Sequence, residues 1–351
     1  MIGVLGATGA IGQQVCHRLL AWHGGPLRVG SRHISDDVSF GFTNVHHQQV
    51  NIEDDNSLSH FMMGCDLVLN CAGPSHRLTP LVLQAAQHAC IPYIDAGGAA
   101  CARLPLQQNN LALVRLDAGA VPGLSGLLPR WLAQSFNSVQ RLRVWHGIVD
   151  HFTLSGAEDF LIGVPSGGVK HASQPPTTLP FFPRPVIVEP YHNAETVAVG
   201  QALGLASHQQ SWFNVSEDAN LVRAREQLHQ LAPSLAVQTL CQAAQLDCLR
   251  YRPYVRYLIE LEGTKNSKTV TQTFLVSANS IAEASGSLMA ALALDILDSP
   301  TSNSALQQMH AAQHRLSPTL FDALFSPSSG ITCQEMDGPL EGFMDTQGGA
   351  L

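Results

Sequence analysis

The sequence predicts an α/β fold: a Rossmann-type doubly wound parallel sheet followed by a second α+β domain. Strand-like and helix-like segments alternate over the first 125 residues, as in parallel sheets with crossover helices. Glycines at 6, 9 and 12 separate the first apolar strand from the first helix. We expect one domain over residues 1–125, a second over 126–300, and a C-terminal helix with a loosely ordered tail over 301–351 that partly packs back on the first domain.

The first strand, residues 2–6, runs directly into the glycine turn and then into an amphipathic helix. Gly6 permits the tight turn, Gly9 lets the backbone approach a pyrophosphate, and Gly12 lets the helix lie close to the strand. The helix amides and dipole then face the anion. The turn predicts dinucleotide binding, and the alternative is a strand-turn-helix with chance glycines. The residues expected around the pyrophosphate are Gly6, Thr8, Gly9, Ala10, Ile11 and Gly12.

The residues at the end of the second strand, which spans 26–31, determine which dinucleotide is preferred. Its end lies about 20 residues beyond Gly12, where an NAD site would place an acidic residue on the ribose 2′-hydroxyl. Ser31 and Arg32 stand there instead, and a hydroxyl with a planar cation suits a 2′-phosphate. The sequence therefore predicts NADPH as the cofactor. The alternative for Arg32 is a solvated surface arginine.

The remaining elements of the first sheet are strands near 44–50, 66–70, 92–95 and 118–121, with a helix over about 79–89. The fourth strand of the sheet ends at the segment 71–74. Nicotinamide and substrate meet at this edge of such sheets. The residues expected to flank the ribose and nicotinamide are therefore Asn70, Cys71, Ala72, Gly73 and Pro74.

Alternating apolar residues predict the second domain. Its expected elements are strands at 141–149, 255–261 and 270–276, a turn at 264–267 and a helix over 280–297. The proline-rich segment 171–190 is expected to be an irregular crossing, and 326–351 a loosely ordered tail. Because the hairpin at 254–277 offers apolar residues on both faces, we expect this domain to form a homodimer as well as to bind substrate.

One stretch of the second domain, residues 150–159, carries several titratable side chains. Ser155 with Glu158 matches a capping box, which predicts a helix start whose amides can receive a substrate carboxylate or carbonyl. The segment 164–170 that follows is a candidate lid. The alternative is an ordinary capped helix followed by a glycine turn.

Composition disfavours several kinds of partner. The 351 residues carry a net charge of −8 and no cluster of Lys and Arg, which argues against nucleic acid and acidic membrane surfaces. No apolar stretch is long enough to span a bilayer and no signal peptide precedes the first strand, so a cytoplasmic protein is expected. The eight cysteines form no C-x-x-C pair and the 16 histidines are scattered, so we expect neither disulfides nor a metal site.

Four motifs stand in an order that resembles the saccharopine dehydrogenase/reductase-like family. They are G-A-T-G-x-x-G at 6–12, N-x-A-G-P at 70–74, Y-[IV]-D at 93–95 and P-G-L-S at 122–125. The resemblance implies an NADP-binding Rossmann domain and NADPH-dependent C=N or C–N redox chemistry, with the second domain supplying substrate contacts. Family members usually follow G-P with Phe, whereas Ser75 and His76 stand here beside the expected substrate position. The substrate therefore does not carry over.

The sequence lacks the catalytic residues of two other classes of reductase. Short-chain dehydrogenases open with a similar turn but need a Tyr four residues before a Lys, and none of the three lysines here has one. Semialdehyde and acyl-phosphate reductases need a cysteine nucleophile soon after the nucleotide domain, but no cysteine stands between Cys101 and Cys241. A protonated C=N bond is already electrophilic, so its reduction demands no strong acid.

These observations favour an NADPH-dependent oxidoreductase that reduces an imine bond of a small biosynthetic metabolite. Two alternatives stay open: a carbonyl or enoyl reductase, and a non-catalytic NADP(H)-binding redox sensor. Catalytic candidates on the cofactor side of the first sheet are His76 and Asp95, although Asp95 has the alternative role of capping the next helix. Asp150, His151 and Asp159 are the candidates in the second domain.

Overall fold

The computed structural model describes residues 1–33, 44–102, 112–163, 175–217, 220–298 and 310–343. The chain divides into two compact units. The first comprises Met1–Leu127 with Ile281–Ile331, and the second comprises Leu128–Ser280 with Thr332–Leu351. Within the described ranges, no helix combines the length and the apolar character needed to cross a membrane.

The elements are numbered in chain order. The strands are β1 (Ile2–Leu5), β2 (Leu27–Ser31), β3 (Val45–Gln49), β4 (Leu67–Asn70), β5 (Tyr93–Asp95), β6 (Val114–Arg115), β7 (Ser138–Val149), β8 (Val186–Pro190), β9 (Gln210–Glu217), β10 (Tyr254–Lys265), β11 (Lys268–Ala278) and β12 (Thr332–Asp337). The helices are α1 (Ala10–Trp22), α2 (Asp55–Met62), α3 (Ser75–His88), α4 (Leu124–Ala133), α5 (Leu154–Gly163), α6 (Ala194–Leu203), α7 (Asn220–Gln227), α8 (Pro233–Arg250), α9 (Ile281–Asp298) and α10 (Pro318–Leu324).

The first unit is built on a parallel sheet with the order β3-β2-β1-β4-β5-β6. This is the strand order of a Rossmann fold, whose direction of winding changes between β1 and β4. Every residue of β1 and β4 is buried, as expected for central strands of a parallel sheet that is covered on both faces. The predicted doubly wound parallel sheet is confirmed.

Two local predictions in this unit are wrong. Residues 118–121 form no strand, because the sheet ends with β6 and Asp117 adopts a left-handed φ of 54°, which interrupts an extended backbone. The helix expected from 79 begins at Ser75, so Pro80 lies inside it. His76 is therefore in the first turn of α3, directly after the end of β4.

The alanine-rich helix α9 belongs to the first unit, although the sequence assigned it to the domain 126–300. It packs against α1 with a face of small buried residues. A Cβ atom on Gly286 would lie 2.4 Å from Cβ of Gln14, so glycine permits this close approach. Arg18 of α1 donates to Ser287 Oγ at 3.2 Å and to the carbonyl of Ser329 at 2.9 Å. Ser329, which follows α9 in the chain, thus also lies in the first unit.

The second unit is built on a mixed sheet with the order β12-β11-β10-β7-β9-β8. The β7–β9 pair is parallel and the other pairs are antiparallel. The hairpin of β10 and β11 turns at Asn266 and Ser267, whose φ angles of 53° and 64° fit a two-residue turn of type I′. The predicted hairpin and α+β class of this domain are confirmed.

The basis for predicting a dimer through this hairpin is wrong. Leu258 and Ile259 are neighbours on β10 and so point to opposite faces of the sheet, and both have 0% exposure within one chain. The tail is also more ordered than predicted, since β12 pairs with the outer edge of β11. An unpaired strand edge leaves backbone N–H and C=O groups without hydrogen-bond partners. Pairing with β12 provides such partners for the edge of β11.

Candidate functional site

Two of the three glycines in the first turn are required by close packing. Gly6 has a left-handed φ of 73°, and a Cβ there would lie 2.6 Å from the backbone nitrogen of Ala72. A Cβ on Gly12 would lie 2.2 Å from the carbonyl oxygen of Gly6. Side chains at these positions would therefore push α1 and the end of β4 away from the turn.

The third glycine faces an open cradle. Gly9 is the N-cap of α1 and provides no side-chain cap, so it leaves the first-turn amides of the helix for another acceptor. Thr8, Gly9 and Ala10 are exposed. A Cβ on Gly9 would have as its nearest neighbour the Gly6 carbonyl oxygen, at 3.2 Å. An exposed helix N-terminus with uncapped amides fits a pyrophosphate, so these residues suit the predicted cofactor.

Ser31 and Arg32 lie at the carboxyl end of β2, next to the strand that carries the glycine turn. Ser31 Oγ donates to the carbonyl of His33 at 2.7 Å. The backbone carbonyl of Arg32 accepts from Gln49 Nε2 at 2.9 Å, while the arginine itself is exposed. The backbone at Arg32 is thus anchored, and its side chain is exposed to solvent at the end of β2.

The end of β4 is joined to β5 by a buried hydrogen-bond network. Asn70 and Asp95 are register partners on these two strands. Asn70 Nδ2 donates to Asp95 Oδ2 at 2.9 Å, and Asn70 Oδ1 accepts from the backbone N–H of Ala72 at 3.1 Å. Asp95 also accepts from the hydroxyl of Tyr93, from Thr79 Oγ1 at 2.8 Å and from the backbone N–H of Gly97 at 3.1 Å.

Burial controls the protonation of this network. It raises the pKa of Asp95 to about 6, while hydrogen bonds from Tyr93 and Asn70 act in the opposite direction. Four donors reach the two oxygens of Asp95. Burial likewise raises the pKa of the Cys71 thiol well above its ordinary value, which keeps it protonated and disfavours a thiolate nucleophile.

The predicted residues 70–74 and His76 follow one another from the end of β4 into α3. Pro74 is the N-cap of α3, and His76 in the first turn is exposed. The glycine turn, Asn70 and Asp95 meet at the same end of the sheet, because the carboxyl ends of parallel strands share one edge.

The second-domain candidates lie after β7. Asp150 Oδ1 accepts from the backbone N–H of His151 at 2.7 Å, and Asp159 lies on α5. The predicted capping box is wrong, because α5 begins at Leu154 and the Thr153 hydroxyl accepts from the N–H of Gly156 at 3.1 Å. The candidate lid at 164–170 lies outside the described residues.

Two members of the network, Tyr93 and Thr79, were not predicted from the sequence. Tyr93 stands two residues before Asp95 on β5, so the two side chains share one face of the sheet. That spacing is a signal that could have identified Tyr93. Thr79 comes from α3, and nothing local in the sequence indicates that it reaches β5.

Comparison with known proteins agrees with this architecture. Residues 2–116 match the family model described as the saccharopine dehydrogenase NADP binding domain. In three dimensions the chain is similar to apo saccharopine dehydrogenase (L-Glu forming) from Saccharomyces cerevisiae, with a TM-score of 0.65, 12% identity, and coverage of 96% of this chain and 99% of that chain. No curated protein sequence matches the chain.

Shorter matches involve other dehydrogenases. Uronate dehydrogenase from Agrobacterium tumefaciens matches 27% of this chain and 40% of its own, with 20% identity and a TM-score of 0.24. A short-chain dehydrogenase/reductase from Veillonella parvula in complex with NADP matches 27% of this chain and 45% of its own, with 18% identity and a TM-score of 0.25. These two matches are too partial to carry an argument. The family model confirms the predicted resemblance over residues 2–116 and NADP(H) as the cofactor, and the yeast structure shows the same fold.

Proposed function

We propose that this chain, an NADP-dependent oxidoreductase with an NADP-binding domain of the saccharopine dehydrogenase type, reduces a C=N bond of a small metabolite. NADPH, when bound, supplies a hydride. The first-turn amides of α1 hold the pyrophosphate, and Arg32 binds the 2′-phosphate. The segment from Asn70 to Pro74 flanks the ribose and nicotinamide at the end of β4.

The observation that carries this proposal is the chemistry at the ends of β4 and β5. Cys71 holds a protonated thiol, and the Asp95 carboxyl accepts four hydrogen bonds from the protein. An acyl reductase needs a thiolate nucleophile, which this thiol does not supply. A protonated imine accepts a hydride without a strong acid or a nucleophile, so it is the substrate class that demands least of these two groups.

His76 is proposed to exchange protons with the substrate nitrogen. It is exposed in the first turn of α3, directly after the segment assigned to the nicotinamide. An imidazole ring can both accept and donate a proton, which exchange with a substrate nitrogen requires. Asp150, His151 and Asp159 are proposed as the substrate-contacting candidates of the second unit, and single substitutions with a separate readout of kcat and KM test each of them.

The proposal is tested with NADPH deuterated at the transferred position and a panel of cyclic and open-chain imines, ketones and enones. We expect deuterium at the carbon of the product amine. Deuterium only in alcohols from ketones, or only in saturated products from enones, would replace the proposal with a carbonyl or enoyl reductase. NADPH binding without label in any product class would favour a redox sensor.

A further inference from the structure

The carboxylate of Asp95 lies at the centre of four structural elements. It is 1% exposed. Its hydrogen-bond donors come from the end of β4 (Asn70), from β5 (Tyr93), from α3 (Thr79) and from the loop after β5 (Gly97). Three of these donors, from Asn70, Tyr93 and Thr79, reach Oδ2, and the N–H of Gly97 reaches Oδ1. The carboxylate is thus a junction that joins four segments of the first unit through hydrogen bonds from the protein itself.

The junction determines which way the Asn70 amide points. Asn70 Nδ2 donates to Asp95 Oδ2, while Asn70 Oδ1 accepts from the backbone N–H of Ala72. A flipped amide would place its oxygen against the carboxylate and its NH₂ group against the N–H of Ala72. Both contacts would be repulsive, and Asn70 is fully buried, so water cannot relieve them. The carboxylate therefore selects the orientation that holds the Ala72 peptide.

The Ala72 peptide in turn lies directly against the glycine turn. Its nitrogen is 2.6 Å from the position that a Cβ on Gly6 would occupy. The backbone N–H of Cys71 also donates to the carbonyl of Leu5 at 2.9 Å, which ties the same segment to the end of β1. A displacement of Ala72 would therefore move one wall of the cradle formed by the turn.

We propose that Asp95 is a positioning residue that acts through Asn70 and Ala72 to hold the cofactor cradle in its binding shape before the cofactor arrives. The proposal rests on the proposed function only for the identity of the ligand. The sequence marked Asp95 as a catalytic candidate; the four hydrogen bonds that its carboxylate accepts from the protein support a positioning role instead.

The test compares Asp95→Ala, which removes the acceptor of Asn70 Nδ2, with Thr79→Val, which removes one donor from the same carboxylate without touching Asn70. Hydrogen exchange of the peptide containing Ala72, followed by mass spectrometry on the cofactor-free protein, reports the positioning directly. We expect exchange at Ala72 to be at least tenfold faster in Asp95→Ala than in wild type and to change less than threefold in Thr79→Val. Calorimetric titration should show roughly 10- to 100-fold weaker NADPH binding for Asp95→Ala, with kcat at saturating NADPH changed far less.

A reversed pair distinguishes positioning from general damage to the fold. In the double variant Asp95→Asn with Asn70→Asp, a carboxylate at position 70 accepts from the Ala72 N–H, and an amide at position 95 donates to it. We expect this variant to regain most of the protection of Ala72 and most of the NADPH affinity. If Asp95→Ala does not fold, Asn70→Ala takes its place, with the faster exchange at Ala72 as its readout.

Ala72 exchange and NADPH affinity within twofold of wild type in Asp95→Ala would overturn the inference, as would a reversed pair no better than Asn70→Asp alone. These readouts do not depend on the substrate. A failure to reduce any imine would therefore overturn the proposed function and leave this inference to be decided by exchange and titration.

Discussion

The preference for NADPH over NADH is assigned to one side chain, that of Arg32, which is exposed at the end of β2. Arg32→Ala should weaken NADPH binding by about 1.5–3 kcal/mol, the range for a hydrogen bond to a charged group, and should hardly alter NADH binding. Calorimetric titration with both cofactors measures this difference. Arg141→Ala, which removes an exposed arginine from β7, is the control for net charge. Equal losses for the two cofactors would contradict the assignment.

His76 is the second residue whose role can be separated from its surroundings. His76→Ala should lower kcat by roughly 10- to 10,000-fold, the range for loss of a general acid or base, and should leave NADPH affinity nearly unchanged. The matched control is His88→Ala, because His88 is an exposed histidine at the other end of the same helix. Steady-state kinetics on the imine found in the substrate panel give the comparison. If both variants retain wild-type kcat, His76 is not the proton-exchanging group.

At the level of elements, substitutions in the glycine turn between β1 and α1 should affect stability and NADPH binding to different extents. Gly12→Ala should lower the free energy of unfolding by roughly 1–3 kcal/mol, since its Cβ would lie 2.2 Å from the Gly6 carbonyl oxygen. Gly9→Ala should lower it by less than about 1 kcal/mol, as expected for an exposed N-cap position, yet weaken NADPH binding. Urea unfolding and NADPH titration measure the two quantities. A Gly9→Ala variant that binds NADPH like wild type would move the pyrophosphate away from this turn.

At the level of the whole molecule, a buried ionic cluster attaches residues 314–317, which follow α9 in the chain, to the rest of the first unit. His314 Nδ1 accepts from Arg115 Nε at 2.7 Å, so its Nε2 carries the proton and donates to Asp295 Oδ2 at 2.6 Å. Arg315 and Ser317 donate to the same carboxylate, and these bonds keep the pKa of Asp295 well below its ordinary value. Burial lowers the pKa of His314, which therefore remains neutral in the folded protein.

The cluster predicts a loss of stability in weak acid. Because the unfolded chain binds a proton on His314 more readily than the folded chain, this contribution is complete above about pH 6.5 and declines as the pH falls below it. His314→Gln keeps one acceptor and one donor but does not titrate. Between pH 6.5 and 5 the free energy of unfolding of wild type should fall faster than that of the variant, by up to about 1.4 kcal/mol per pH unit. If the free energies of unfolding of wild type and His314→Gln, measured by urea unfolding, fell equally with pH, the neutral state of His314 would be contradicted.

The homodimer also belongs to this scale and stays a proposal. The hairpin of β10 and β11 no longer supports it, since both faces of β10 are covered within one chain. Light scattering at micromolar concentration should give a mass of about 75 kDa, twice the chain mass of 37.7 kDa. A mass near that of one chain would contradict the dimer. Salt and concentration series serve as the control for weak association.

Signals that are local in the chain were sufficient to predict the first five strands of the first sheet and the cofactor. The glycine turn needs only residues close in sequence, because a strand, a turn and a helix start form one continuous structure. The same holds for the position of Ser31 and Arg32 at the end of β2, and for the hairpin turn within 264–267. The motif at 70–74 could be assigned to the cofactor edge because its strand was identified from its own residues.

Long-range packing decided the rest. The small residues on one face of α9 do not indicate which element packs against them. Only the fold brings Gly286 against Gln14 of α1. The strand β12 depends on an edge of β11 that exists only once the sheet has formed. Asp95 could be recognised as a strand-end carboxylate, but its four donors come from separate elements, and their arrangement is a property of the assembled core. A single strand specifies which way a side chain points, whereas the partner it meets depends on how distant segments pack.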